Sequence, residues 1–394
     1  MTTATPQIGD PPSAPALAGP APSTDPPRPS ARTRIRPILS LARNAGSYLR
    51  VANVAARAHG SGRIAAVRRM QRLRHQGYLW DEALRDGMLD PVIPDAALGG
   101  YAPRHQALIA QARVNSGAFE ATTTEKAVFY LHCAALGLPT PELYAIVTRS
   151  AAGWAVDGRV IDGPATFADV LSRLPRDLVV KPSGGGMGDG VRVFRREEGV
   201  LVDAGSGARI SPESLWDELR NHPTYEAHVA QERLRNHRDL AEAVPSRALH
   251  TIRLATFVPA EGETEISQAL IRLGIGGGVT DNFGDGSAGN GYAEIDFETG
   301  RMGPLRMARP DGCGFDEFPV VPHTGAPIEG VEVPLWREAR ELAFEAAAHF
   351  LPTRSIGWDI AIAERGPVLV EANRFWTPFP QPDLARTIAR INEG

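Results

Sequence analysis

Apolar residues recur at helical spacing twice near the start of the chain, through Ile38, Leu39, Leu41, Leu49, Val51 and Val54 and again through Ile64, Val67, Met70 and Leu73. Gly60-Ser61-Gly62 separates the runs, so the pattern predicts two helices divided by a breaker. From residue 125 onward helix and strand patterns alternate. EKAVFYLHCAAL (125–136) reads as a helix that leads through Gly137 and Pro139-Thr140-Pro141 into the strand LYAIVT, with a hairpin following at Asp157-Gly158. A helix near 166–174 precedes the strand LVVK. Strand-rich blocks then cover 226–234 and 248–274, a glycine-rich stretch spans 274–291, and a strand at 292–297 leads into an irregular segment reaching about 332. A helix over 334–350, strands at 356–363 and 367–372, and a last helix from Asp383 complete the chain. The connections are short, which predicts mainly antiparallel sheets and an α+β fold. No internal repeat is visible.

With 394 residues and 43% hydrophobic content, the chain can bury two or three packed subdomains. No stretch approaches the ~18 apolar residues of a membrane helix. The N-terminus has no basic-then-apolar signal pattern, and two cysteines, Cys133 and Cys313, are too few for a disulfide framework, so a cytoplasmic setting is expected. Residues 1–31 hold nine prolines among Ala, Ser and Thr and read as a disordered tail. Residues 26–80 hold twelve arginines and no acid, leaving 30 of the 42 basic residues against all 46 acidic ones elsewhere. The two basic helices, a leader over 32–76, are expected to lie on an acidic surface of their own chain or of a partner; an anionic membrane is the alternative. Nucleic acid is not expected, because Tyr48 stands nearly alone among the arginines where stacking aromatics would be needed.

The cations are almost all arginine, 40 of them, with Lys126 and Lys181 the only lysines. Where arginine serves generally, a retained lysine marks a position that wants a compact ammonium. Lys181 ends the strand of DLVVKPSGGGMGDGVRVF, whose glycines Gly184, Gly185, Gly186, Gly188 and Gly190 would let backbone amides approach an anion. It is neither a Walker A loop nor a dinucleotide fingerprint. Downstream, SIGWDIAIAERGPVLVEANRFW places Asp359 on one strand and Glu371 and Asn373 at i, i+2 on the next, three oxygen donors suited to magnesium and phosphate. His237-Arg238-Asp239-Leu240 with Asp281-Asn282-Phe283-Gly284 imitates protein-kinase loops, but Val244 and Asn282 stand where the metal-binding asparagine and aspartate would be required.

These motifs together resemble the ATP-grasp superfamily. Within it, VKPSGGGMGDGV, HTIRLATF, DNFGDGSAGNGYAEIDFETGRM, HTGAPIEG and IGWDIAIAERGPVLVEANRFW are similar to the sugar-transfer-associated ATP-grasp family, over about residues 80–385. The resemblance implies two α+β subdomains clasping ATP, with Lys126 and Lys181 on the phosphates, the loop Gly184–Gly190 covering them, and Gln231-Glu232-Arg233-Leu234 as the hinge that receives adenine. It further implies Arg253 at the γ-phosphate or acyl phosphate, Asp359, Glu371 and Asn373 on Mg2+, and Arg272, Asp281, Asn282 and His323 on the acceptor side. The expected organisation is an associated subdomain at 77–150, a glycine-loop subdomain at 151–234 and a catalytic subdomain at 235–394. The expected activity is an ADP-forming ligase joining a small-molecule carboxylate to an amine or hydroxyl, in polysaccharide or natural-product biosynthesis. A small-molecule kinase and a non-catalytic nucleotide-binding accessory protein are the alternatives.

Overall fold

The computed structural model describes residues 36–149 and 152–393, with side chains from Gly46 onward. The expected disordered tail lies outside the described residues. The chain divides into two compact units, residues 1–48 and 49–394. In the first, the described residues are helical, the start of α1 (Arg36–Ala58). The second unit holds the rest of α1 and every other described element. Helices α2 (Arg63–His75), α3 (Trp80–Arg85), α4 (Arg104–Val114), α5 (Ala121–Thr124) and α6 (Lys126–Leu136) lead into strands β1 (Leu143–Thr148), β2 (Gly153–Ala155) and β3 (Val160–Ile161). Then come α7 (Pro164–Arg173), β4 (Asp177–Pro182), β5 (Arg192–Glu197), β6 (Val200–Asp203), β7 (Arg209–Ile210), α8 (Pro212–Arg220), β8 (Ala227–Glu232) and α9 (Arg238–Ala243). The chain closes with β9 (Thr251–Phe257), β10 (Glu265–Leu273), β11 (Gly291–Glu294), β12 (Leu305–Ala308), β13 (Phe315–Phe318), α10 (Trp336–His349), β14 (Ser355–Ala363), β15 (Gly366–Asn373) and α11 (Leu384–Glu393).

Two antiparallel sheets result, ordered β3-β2-β1-β8-β4-β5-β6-β7 and β13-β12-β11-β10-β9-β14-β15. The first packs Phe194, Leu178 and Ala230 against Phe167 and Leu171 of α7 and Leu215 and Trp216 of α8. The expected boundary at residue 150 falls within this sheet, because β1 pairs with both β2 and β8. In the second sheet the period of two sorts the chemistry. Ile252, Leu254, Ile271, Trp358, Ile360 and Leu369 enter a core roofed by α10, and their alternating neighbours Thr251, Arg253, Arg272 and Asp359 take the opposite face; a bulge at Val370 shifts the register and brings Glu371 to that face as well. The segment expected to be irregular contains β12 and β13. Both are four-residue strands at the rim of the sheet, β13 at its edge and β12 beside it, and three of their eight residues are charged, including the pair Arg306–Glu317 at 2.8 Å, so they carry little apolar signal.

Candidate active site

The polar face of the second sheet and the glycine loop between β4 and β5 enclose a cleft of about 930 Å3. Strand register builds its centre. Arg253 on β9 lies opposite Asp359 on β14, and Asp359 lies opposite Glu371 on β15, so three charged side chains form one row across three strands. Asn373, two residues beyond Glu371, shares its face. Arg272 on β10 is paired with Thr251 and reaches the same row. Arg253 Nε donates to Asp359 Oδ1 at 2.5 Å, and Arg272 Nη2 lies 2.8 Å from Asp359 Oδ2. Thr251 Oγ1 accepts from Arg272 at 2.6 Å and donates to Asp281 Oδ2 at 2.5 Å, closing a buried network. Burial works to raise the Asp359 pKa, yet the two guanidiniums hold it below the usual carboxylate range. Asp281 goes the other way: its burial outweighs the help of Arg272 and raises it.

The two lysines approach the same cleft from the other sheet and from α6. Lys181 is buried at the end of β4, where its Nζ donates to Tyr130 Oη at 2.8 Å and lies 5.3 Å from the centre of that ring. Desolvation, and after it the charge of Lys126, pull its pKa down to about 7. Lys126 opens α6; its Nζ bonds the Gly185 carbonyl and lies 3.1 Å from Glu371 Oε1. Glu125, just before it, accepts a hydrogen bond from Ser183 Oγ at 2.7 Å and so fixes the start of the glycine loop. At Gly188 the backbone adopts φ +75°, and a Cβ there would lie 3.1 Å from Thr280, so the loop passes closely over the 274–291 segment. Asn282 Nδ2 donates to Met187 O at 2.7 Å across the same junction.

The expected site residues mostly gather here. Lys126, Lys181, Gly185, Gly186, Gly188, Gln231 to Leu234, Arg253, Arg272, Asp281, Asn282, Asp359, Glu371 and Asn373 all line the cleft. Gly184 does not; it packs against the Glu125 carboxylate. His323 does not either. It is exposed on a turn after Val321, where Thr324 Oγ1 bonds Ala243 O, and this corrects its placement on the acceptor side. The sequence reading missed Tyr130, Glu125, Thr251 and the apolar walls Val179, Val193, Leu249 and Val370. Tyr130 and Glu125 carry no motif of their own; only their neighbour Lys126 could have pointed to them.

The donor set fits a hard divalent cation. Among the described residues no three His, Cys, Asp or Glu side chains gather as a metal site, so the candidates are two carboxylates and one amide. Asn373 spends its amide nitrogen on Gly357 O at 3.3 Å, which leaves its oxygen available, and Glu371 is half-buried with one ammonium neighbour. Asp359 is committed to two arginines and adds charge to the row.

Comparison with known proteins bears on this arrangement. Residues 107–386, well over half of the chain, match the family described as sugar-transfer associated ATP-grasp. Solved structures that align with the chain include D-alanine–D-alanine ligase from Bacillus anthracis, at 12% identity and TM-score 0.39 with 73% of each chain covered. The Helicobacter pylori D-alanine–D-alanine ligase aligns at 13% identity and TM-score 0.38, over 69% of this chain and 61% of that one. D-cycloserine synthetase DcsG aligns at 14% identity and TM-score 0.40, covering 74% and 81%. No curated protein matches.

Proposed function

The chain belongs to the sugar-transfer-associated ATP-grasp family, and from that premise we propose that it is an ATP-dependent, ADP-forming ligase that activates a carboxylate for attack by an amine or hydroxyl. The observation that carries the reading is the row Arg253–Asp359–Glu371 facing the only two lysines of the chain across one cleft. Adenine fits between Val179, Val193, Leu249 and Val370, at the hinge Gln231 to Leu234. The triphosphate then extends under the glycine loop toward Lys126, Lys181 and Arg253. Glu371 and Asn373, with Asp359 behind them, would hold Mg2+, whose chemistry is to neutralise phosphate charge and polarise the γ-phosphoryl group.

A carboxylate oxygen attacks the γ-phosphorus, ADP leaves, and an acyl phosphate forms. The amine or hydroxyl attacks the acyl carbon, loses its proton, and phosphate departs. Arg253 and Arg272 stabilise the added negative charge with planar, permanently charged forks. Their partner Asp359 keeps both guanidiniums aligned without reorganisation. The glycine loop and the 274–291 segment keep water from the acyl phosphate.

Titration of the pure protein with Mg-ATP, followed by ADP release in the presence of carboxylates and hydroxylamine, tests the reading. Hydroxamate formation with stoichiometric ADP is expected. A stable phosphorylated small molecule formed without an acceptor would replace the ligase by a kinase, and nucleotide binding with no turnover across broad panels would leave an accessory protein.

A further inference from the structure

Two large apolar side chains that line the cleft stay open to water. Met187, at the crest of the glycine loop, is 83% exposed, and Phe375, two residues beyond Asn373, is 43% exposed. Hydrophobic surface left open inside a polar cleft marks a place for a ligand. Neither is a slack surface residue. Met187 has φ +55°, a left-handed conformation that a side chain with a Cβ rarely adopts, and Asn282 holds its carbonyl. Phe375 lies with its ring 4.6 Å from the Arg374 guanidinium, and Arg374 is itself buried and tied to Glu120 at 3.0 Å and to the Asn115 carbonyl at 3.4 Å. The ring is therefore presented from a fixed support. Phe283 and Phe379 also line the cleft, with ring centres 5.6 Å apart.

The order of residues along and after β15 separates Phe375 from the adenine end. Val370 belongs to the adenine walls, Glu371 and Asn373 follow as oxygen donors, and Phe375 comes after them, beyond the strand end.

Resting on the ligase reading above, we propose that the carboxylate substrate carries a bulky apolar body, aryl or branched alkyl, and that Phe375 and Met187 receive it while Arg253 and Arg272 face its carboxylate. The side chains decide specificity by area: each added methylene covered by Phe375 strengthens binding, whereas a small polar acid leaves the ring wet.

Calorimetry on the full chain with acetate, isovalerate, phenylacetate and 3-phenylpropionate, in the presence of Mg2+ and a non-hydrolysable ATP analogue, tests this. These acids share one charge and differ in apolar area. Affinity should rise at least about tenfold from acetate to 3-phenylpropionate, the equivalent of burying about two methylenes. Phe375→Ala should abolish that gain and leave affinity for the ATP analogue unchanged, Phe375→Leu should keep most of it, and Met187→Ser should reduce it. Equal affinity across the series, no binding of any apolar acid at millimolar concentration, or an undiminished gain in Phe375→Ala would overturn the proposal. Failure of the ATP analogue to bind, with the apolar series still graded and still dependent on Phe375, would instead overturn the ligase reading and keep the apolar site.

Discussion

At the scale of single residues, Asp359 and Glu371 look alike in sequence and differ in burial. Asp359 is almost inaccessible and compensates two buried guanidiniums. Asp359→Asn takes the carboxylate partner from Arg253 and leaves Arg272 only Asp281, 3.6 Å away, and urea denaturation without ligand should show a loss of about 3–5 kcal/mol. Glu371→Gln breaks one partly buried pair with Lys126, whose ammonium keeps the Gly185 carbonyl, so the loss of stability should be smaller, about 1–2 kcal/mol, while Mg-ATP-dependent turnover falls steeply. Lys181 carries a pH signature. Its ammonium, pulled down to about 7 by burial and then by Lys126, is increasingly neutral above that pH in the free protein. A bound triphosphate favours the charged form, so nucleotide binding takes up a proton and weakens as pH rises from 7 to 9. The unfolded chain keeps this proton up to about pH 10, so the same group makes the free protein more stable as pH rises through that window. Calorimetry in buffers of different ionisation enthalpy should show the uptake, and Lys181→Arg, charged throughout, should show none and bind nucleotide more weakly because the larger fork must enter a buried slot. Both lysines were legible because almost every other cation is arginine. Tyr130, which receives the Lys181 ammonium, was not, because a tyrosine in an apolar helix looks like any core residue.

At the scale of elements, pattern revealed what packs and hid what only pairs. Strands β9, β14 and β15 were readable because each buries one apolar face on α10, and their polar alternates then fell into register as the site. The short rim strands β12 and β13, and the half-exposed β6 and β7, bury too little to announce themselves. Helix α8 was equally silent although Ser211 caps it, its Oγ accepting from Ser214 N at 3.1 Å, because nine residues give a short apolar period. The glycine loop was visible as glycine, but which glycine matters depends on tertiary approach. Gly188 combines a left-handed backbone with Thr280 at contact distance. Gly188→Ala should therefore displace the loop and weaken Mg-ATP binding by about tenfold, with a melting temperature close to wild type because the loop is not part of either core. An unchanged nucleotide affinity would show that the loop does not cover the phosphates. Gly357 makes the opposite prediction. A Cβ there would lie 2.5 Å from Trp376, inside a core contact, so Gly357→Ala should cost about 1–3 kcal/mol in denaturant titration.

At the scale of the molecule, a basic leader precedes an acidic remainder, and within the second unit the structure separates the leader's two faces. Within the second unit, Val51, Ala52, Ala55, Ala66, Met70 and Leu73 are buried, and Arg69 joins them, donating to Met88 O at 2.6 Å and pairing with Asp95 at 2.9 Å. Arg57, Arg63, Arg68 and Arg74 face solvent, and no described acid lies within ion-pair distance of them. Apolar contact, with the buried Arg69 and the more exposed pairs of Arg72 with Asp95 and Arg50 with Asp81, therefore holds these helices in place; Arg57, Arg63, Arg68 and Arg74 do not contribute. Removing residues 1–76 should uncover Tyr78, Met88 and Leu89, lower the melting temperature by several degrees and promote aggregation. The loss should change only modestly between 50 and 500 mM salt, since apolar burial is not screened and only the pairs of Arg69 and Arg72 with the half-exposed Asp95 and of Arg50 with Asp81 are. Sedimentation with vesicles containing anionic lipid, run on the full chain beside the melt of the truncated one, checks the competing use of the exposed arginines. A truncated protein that melts and turns over like the full chain, and has lost only a salt-sensitive affinity for the vesicles, would show that the leader serves a membrane surface and contributes nothing to the fold beneath it.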